Sequence, residues 1–182
     1  MYILEFYYEY IIKHDLINKF NYYNVKNIPK IKKVILNFGC SSYKLKSIAP
    51  AFLFLELLAH KTSVFTKNKK ANIFLKIKKG TPIGCSLILT KVQMYKFLFK
   101  LILEILPSLK NFKGIFYTIK KLKPNSFSFY IKDLLILKEF NPHFHLFKNL
   151  PALNITIITN TKTSTELIYL LQSFKIPLKV KN

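Results

Sequence analysis

Cys85–Pro107 reads CSLILTKVQMYKFLFKLILEILP, and two hydrophobic rhythms meet inside it. Cys85–Thr90 is a short apolar run with strand character. From Met94 onward the apolar residues are Met94, Phe97, Leu98, Leu101, Ile102, Ile105 and Leu106, at spacings of three and one. That is the stripe of an amphipathic helix, and Pro107 is expected to end it. A strand feeding a helix with one greasy face points to an α+β chain that buries helices against a sheet.

Upstream the character changes. Thr66–Lys79 holds six lysines, Lys67, Lys69, Lys70, Lys76, Lys78 and Lys79, and no acidic residue. It reads as a charged loop between strands. Ser63–Thr66 is the strand expected before it, Asn72–Ile77 a further candidate, and Pro82 with Gly84 the turn into Cys85–Thr90. Gly80–Gly84 superficially suggests a phosphate loop. It lacks the required Gly-Lys-Ser/Thr order, and Pro82 removes an N–H that a phosphate cradle would use, which argues against nucleotide binding.

Towards the N-terminus, Leu4, Tyr7, Tyr8, Ile11, Ile12, Leu16 and Phe20 repeat with helical period over residues 3–20. Asn21–Pro29 is turn-prone. Ile31–Phe38 reads as a strand ending at Gly39, and Pro50 sits where the first turn of a helix running to about Ala59 would accept it. Downstream, Phe127–Ile131 is strand-like and Asp133–Leu137 a short helical piece. Leu153–Thr159 is a strand with Leu153, Ile155 and Ile157 on one face and Asn154 and Thr156 on the other. Thr163 and Glu166 form a capping box opening a helix with Leu167, Leu170, Leu171 and Phe174, stopped before Pro177. The expected architecture is one α+β domain over residues 1–182, a mostly antiparallel sheet with helices on one face.

The chain has 182 residues and a formal net charge of +22, from 30 basic and 8 acidic residues. An excess of this size repels itself on folding, so it implies a polyanionic partner. All the basic residues are lysine, and glycine numbers four. Arginine is the better fork for phosphate and guanine, so its absence reflects codon bias in an AT-rich genome, organellar or parasitic, rather than binding. No run of roughly 18–20 apolar residues is free of charge, so no membrane span is expected. The acidic residues Glu5, Glu9 and Asp15 near the start do not suit an import sequence, and synthesis inside the organelle is the expectation.

Catalytic and metal chemistry find little support. The carboxylates are scattered, and most fit helix caps or lysine neighbours. His143 and His145 flank Phe144 and would share a face in a strand, but without a third ligand they read as a solvated pair. Cys40 and Cys85 read as buried free thiols, with no cofactor implied. Three function classes follow: an RNA-binding protein, a basic peripheral protein of an anionic membrane surface, and, least supported, a nucleic-acid-processing enzyme. Polar outward strand positions such as Asn37, Ser86 and Thr156 suit the first.

Several motifs resemble the ribosomal protein L five family. They are Phe20-Asn21-Tyr22, Pro29-Lys30, Leu36-Asn37-Phe38-Gly39, the segment Phe74–Leu89 with Pro82-Ile83-Gly84-Cys85, Phe112-Lys113-Gly114, Leu153–Lys162 and the ending at Pro177. The resemblance covers almost the whole chain and implies a non-enzymatic constituent of the large ribosomal subunit. Its partners would be 5S rRNA in the central protuberance, large-subunit rRNA, the P-site tRNA elbow, neighbouring central-protuberance proteins and the small-subunit head protein S thirteen. It implies an RNA-facing sheet, with Asn21, Lys30, Lys33, Asn37, Lys61 and Thr90 towards 5S rRNA. It also implies a tRNA-facing loop of Thr66, Lys67, Lys69, Lys70, Lys76, Lys78 and Lys79. A mitochondrial ribosome in the matrix is the expected home, ahead of a plastid or an AT-rich bacterium. The chain departs from the family pattern at His60-Lys61 (glycine-glutamine in the family), Ser86 (lysine), Thr90-Lys91 (arginine-glycine) and Asn154 (aspartate).

Overall fold

The computed structural model describes residues 3–40, 45–71, 74, 77–110, 112–118 and 122–180. The first helix, α1, runs through Ile3–Tyr7, a π-helical turn at Tyr8–Ile12, and Lys13–Lys19. Strand β1 is Ile31–Gly39, α2 is Leu45–Ala59, β2 is Val64–Lys67 and β3 is Pro82–Leu89. Helix α3 is Lys91–Lys100, continued by a π turn at Leu101–Ile105 and by Leu106–Ser108. There follow β4 at Ile115–Tyr117, β5 at Ser126–Ile131, α4 at Phe144–Phe147, β6 at Leu153–Thr159, α5 at Ser164–Ser173 and β7 at Leu178–Val180. The fold is α+β. A five-stranded antiparallel sheet has the order β2-β3-β1-β6-β5, and β4 pairs with β7 in parallel as a second, two-stranded sheet.

The chain packs as two compact units. One comprises residues 1–34, 89–129 and 156–182; the other comprises 35–88 and 130–155. In the first unit, α1 buries Tyr8, Ile12 and Leu16, one residue per turn, and packs against α3. The Tyr8 hydroxyl donates to the Pro29 carbonyl at 2.9 Å, and its ring stacks on Phe174 at 6.1 Å. Burial pushes the Tyr8 pKa upward, with Glu9 adding to the shift. Leu167, Leu170 and Leu171 of α5 are buried, as the period predicts, and the capping box between Thr163 and Glu166 is formed in both directions. In the second unit, Phe54 of α2 sits at the centre of an aromatic cluster, 5.8 Å from Phe38, 4.2 Å from Phe140 and 5.6 Å from Phe147.

Three sequence expectations are corrected here. Pro50 is not at the first turn; it lies inside α2, five residues beyond Leu45. Proline there leaves one intrahelical hydrogen bond unmade, which the helix tolerates because Ile48, Ala51, Phe54, Leu55 and Leu58 are all buried on it. Pro82 and Gly84 do not form a turn but belong to β3. The turn is one step earlier, where Thr81 bonds back to Lys78 through both its N–H and its hydroxyl, and Gly80 takes φ 86°. Pro107 does not end α3 at once, because Leu106–Ser108 adds a last turn whose proline is near its start. Strands β4 and β7 were not foreseen.

Candidate nucleic-acid interface

In the second unit, β2 and β3 pair antiparallel, with Val64 opposite Ser86, Phe65 opposite Cys85 and Thr66 opposite Gly84. The ladder shifts register between Thr66 and Lys67. Beyond it, Asn68 N–H donates to the Thr81 carbonyl and Gly80 N–H to the Asn68 carbonyl, both at 2.9 Å. These bonds close the base of the hairpin, and the Asn68 amide also donates to the Lys70 carbonyl. Lys67, Lys69, Lys70, Lys78 and Lys79 are all exposed on this closed base and the segments leading from it. A strand pair thus holds five ammonium groups in one region without an intervening acid. Lys76, Asn72, Ile73 and Leu75 lie outside the described residues, so the expected strand at Asn72–Ile77 lies largely outside them too. Phe74 is 99% exposed and Ile77 is buried.

Thr66 differs from its lysine neighbours. It is half-buried, and its hydroxyl lies on Gly84, 2.9 Å from the position a Cβ there would occupy. The Phe38 carbonyl oxygen lies closer still and would overlap that Cβ, so only glycine lets β3 approach β1 there. This accounts for Gly84 within a strand, and it gives Thr66 a packing contact at the root of the loop. Cys85 and Cys40 are both buried and outside any disulfide, as expected. Burial pushes the Cys85 pKa to about 12, with Cys40 adding to the shift, and burial also raises Cys40. Neither thiol has the depressed pKa of a nucleophile.

Lys61 and Asn37 belong to the same unit. Asn37 is half-exposed on β1, on the side opposite the buried Leu36 and Phe38. The Lys61 ammonium donates to the Ile88 carbonyl at 2.8 Å, so one of its three donors is already engaged with the end of β3.

In the first unit, Asn160 just after β6 organises the candidate residues around Lys30. Its Oδ1 accepts from Lys30 N–H at 2.6 Å and its Nδ2 donates to the Ile28 carbonyl at 3.0 Å. Its own N–H donates to the Lys30 carbonyl at 3.2 Å. One side chain therefore fixes the backbone of the Pro29-Lys30 pair while the lysine head stays exposed. Lys33 is half-buried on β1.

The turn at Asn21 is fixed by aromatic packing. Phe20 meets Tyr169 edge-on at 5.8 Å, and Lys19 lies over the Tyr169 ring at 3.9 Å. Tyr22 tucks in beside Phe20, its hydroxyl buried without a hydrogen-bond partner and its pKa pushed to about 12 by burial and by Glu166. Asn21 and Tyr23 are left outside, Tyr23 fully exposed at 101%. Thr90 is the N-cap of α3, yet its side chain makes no capping bond and it is exposed.

Tyr23 and Phe74 were missed by sequence reading. The local sequence carries no signal of this exposure, since Phe74 stands between Ile73 and Leu75 and Tyr23 two residues before Val25. An exposed ring offers a flat face on which an unpaired base can stack. His143 and His145 are both exposed, at the end of a 3₁₀ segment and within the short helix α4 rather than in a strand, so they do not share the expected strand face. Among the described residues there is no group of three metal-ligating side chains, and no helix is long and apolar enough to cross a membrane.

This is an α+β protein with a lysine hairpin and exposed aromatics at its turns. The model for the C-terminus of the ribosomal L five protein family matches residues 82–178. The large ribosomal subunit protein uL5m of Reclinomonas americana is 42% identical over 178 residues, covering 96% of this chain and 97% of that protein. The uL5 protein of Nitrosomonas europaea is 35% identical over 180 residues, covering 97% and 98%. That of Thermotoga maritima is 33% identical over 180 residues, covering 94% and 93%. The chain belongs to the uL5 family of ribosomal proteins.

Proposed function

We propose that this chain is a structural protein of the large subunit of a mitochondrial ribosome and binds 5S rRNA there. The observation that carries the reading is the joining of family membership to charge. A uL5 chain with 30 lysines and 8 acids holds five exposed lysines on a single acid-free hairpin. Affinity comes from lysine–phosphate contacts, and Asn21, Lys30, Lys33, Asn37, Lys61 and Thr90 supply the 5S rRNA contacts. Asn160 supports this role by fixing the backbone at Lys30. Tyr23, beside Asn21, adds a stacking surface for an unpaired base.

The hairpin has a different target. Lys67, Lys69, Lys70, Lys76, Lys78 and Lys79 face the elbow of P-site tRNA, with Thr66 at the hinge and Phe74 offering a ring to stack on. Contacts with large-subunit rRNA, neighbouring central-protuberance proteins and the small-subunit head protein S thirteen complete the set of partners. The mitochondrial assignment draws on the Reclinomonas relative, a mitochondrial-type uL5m, together with the all-lysine composition. The test is to isolate large subunits from the source organelle by sedimentation and assay both components. The chain should co-sediment with particles that contain 5S rRNA and leave them together with it on a salt wash. A chain that pellets with anionic membranes and is missing from the particles overturns the proposal.

A further inference from the structure

Helices α3 and α5 both begin beside residues proposed for 5S rRNA and end away from them. Thr90 is the N-cap of α3, and α5 opens four residues after Asn160, which holds the backbone of Lys30. At 1.5 Å per residue the far ends lie roughly 25 Å away along α3 and roughly 15 Å away along α5. At those far ends is a groove of about 340 Å³, formed by the last turns of α3, the entry to β4, the turn after α5, and β7. Everything that lines it belongs to the first unit.

The parallel pairing of β4 with β7 builds this groove. Ile115 stands opposite Leu178, and Ile115 N–H donates to the Pro177 carbonyl at 2.8 Å, which sets the segments of Lys113 and Lys179 side by side. Gly114 takes φ 104°, and a Cβ there would sit 3.2 Å from both the Pro177 carbonyl oxygen and Cγ of Lys179. The stem of Lys179 therefore lies across Gly114. Lys175 enters from the turn closing α5, where its N–H donates to the Gln172 carbonyl at 2.8 Å. Lys113, Lys175 and Lys179 are all exposed, and the described residues lining the groove include no carboxylate. Glu104, on the π turn of α3, is not among them. Between the lysines lie Pro107, Pro177 and the half-buried ring of Phe112. The C-terminal ends of the two helices carry roughly half a negative charge each, so three ammonium groups leave an excess of about +2 that helix capping does not account for.

We propose that this groove seats an unpaired nucleotide of large-subunit rRNA, its base against Phe112 and the prolines and its flanking phosphates on Lys113, Lys175 and Lys179. Cations beside an aromatic ring are the pairing by which single strands are held, one for the backbone and one for the base. An acidic peptide would use the lysines and leave Phe112 without a flat partner, and an apolar segment would leave the ammonium groups unanswered. The proposal rests on the ribosomal reading for which RNA is met. To test it, the photo-reactive residue benzoyl-phenylalanine replaces Phe112 in the tagged full chain, and large subunits are isolated and irradiated. RNA adducts are mapped by primer extension and protein adducts by mass spectrometry. The expected result is an adduct at one unpaired site of large-subunit rRNA. Adding Lys175→Gly and Lys179→Gln to that chain should give at least fivefold less adduct, while the chain and 5S rRNA stay in the particle. Glycine suits position 175, whose backbone is already left-handed, so the loss would not come from a broken helix end. An adduct to 5S rRNA, to a paired stretch, to protein or to lipid in its place, no adduct at all, or a yield unchanged by the two substitutions overturns the groove proposal alone. A chain that does not sediment with large subunits overturns the ribosomal reading as well.

Discussion

At the scale of single residues, the scarcity of glycine has a visible cost. His60, Lys91 and Lys175 hold φ of 49°, 50° and 63°, a left-handed conformation that costs a side-chain-bearing residue roughly 1–2 kcal/mol. His60 and Lys91 stand where the family resemblance places glycine. With four glycines in 182 residues, the chain carries bulkier side chains at positions whose backbone conformation favours glycine. His60→Gly, Lys91→Gly and Lys175→Gly should each raise stability by about 0.5–1 kcal/mol, the relief of strain being partly offset by glycine's greater unfolded-state freedom. Urea midpoints check this, and a fall in all three variants would contradict it.

Gly84 is the opposite case. Gly84→Ala pushes a methyl into the Phe38 carbonyl and should destabilise by about 1–3 kcal/mol, read from the same midpoints. The Cys85 thiol offers a pH test. Its pKa rises on folding from 9.0 to about 12, so the unfolded chain loses its proton first. The stabilisation is fully present below pH 9 and is lost as pH climbs towards 12. Measured against Cys85→Ala, the melting temperature of the natural chain should therefore decline across that window. A constant difference would show that the thiol is not protected.

At the scale of elements, what the sequence disclosed was whatever is encoded locally. Strand β6 is bounded as its alternation suggests, and α5 begins at its capping box because Thr163 and Glu166 satisfy each other's backbone within a single turn. The position of Gly84 was not legible. Its close neighbour Phe38 is distant in the chain, so a glycine placed for a backbone contact looks like one placed for a turn. Strands β4 and β7 were hidden for a related reason. Each is three residues long, and they pair in parallel across the long interval from Ile115 to Leu178. The lysines of the hairpin were legible as charge, whereas the exposure of Tyr23 and Phe74 and the engagement of Lys61 with Ile88 depend on tertiary placement.

Two predictions belong to this scale. Asn160→Ala strips the Ile28–Lys30 segment of two side-chain bonds and should cost about 1–3 kcal/mol, read by chemical denaturation. It should also weaken 5S rRNA binding more than an equally destabilising change such as Thr163→Ala, which touches only the cap of α5. Replacing Lys67, Lys69 and Lys70 together with alanine should leave the fold and 5S rRNA affinity intact while weakening tRNA placement or subunit joining. Loss of 5S rRNA binding in that triple variant would reassign the hairpin.

At the scale of the whole molecule, charge and fold divide the work. A core of apolar strands and helices lets the chain fold despite +22, and on the proposed reading the phosphates of rRNA relieve that charge. If lysine–phosphate contact is the main source of affinity, salt must govern binding. The decisive measurement is a titration of 5S rRNA binding by the purified chain between about 50 and 200 mM monovalent salt. Affinity should fall about a thousandfold or more, linearly in the logarithms, as expected for roughly six or more neutralised phosphates. An affinity that stays level across that range would contradict the account.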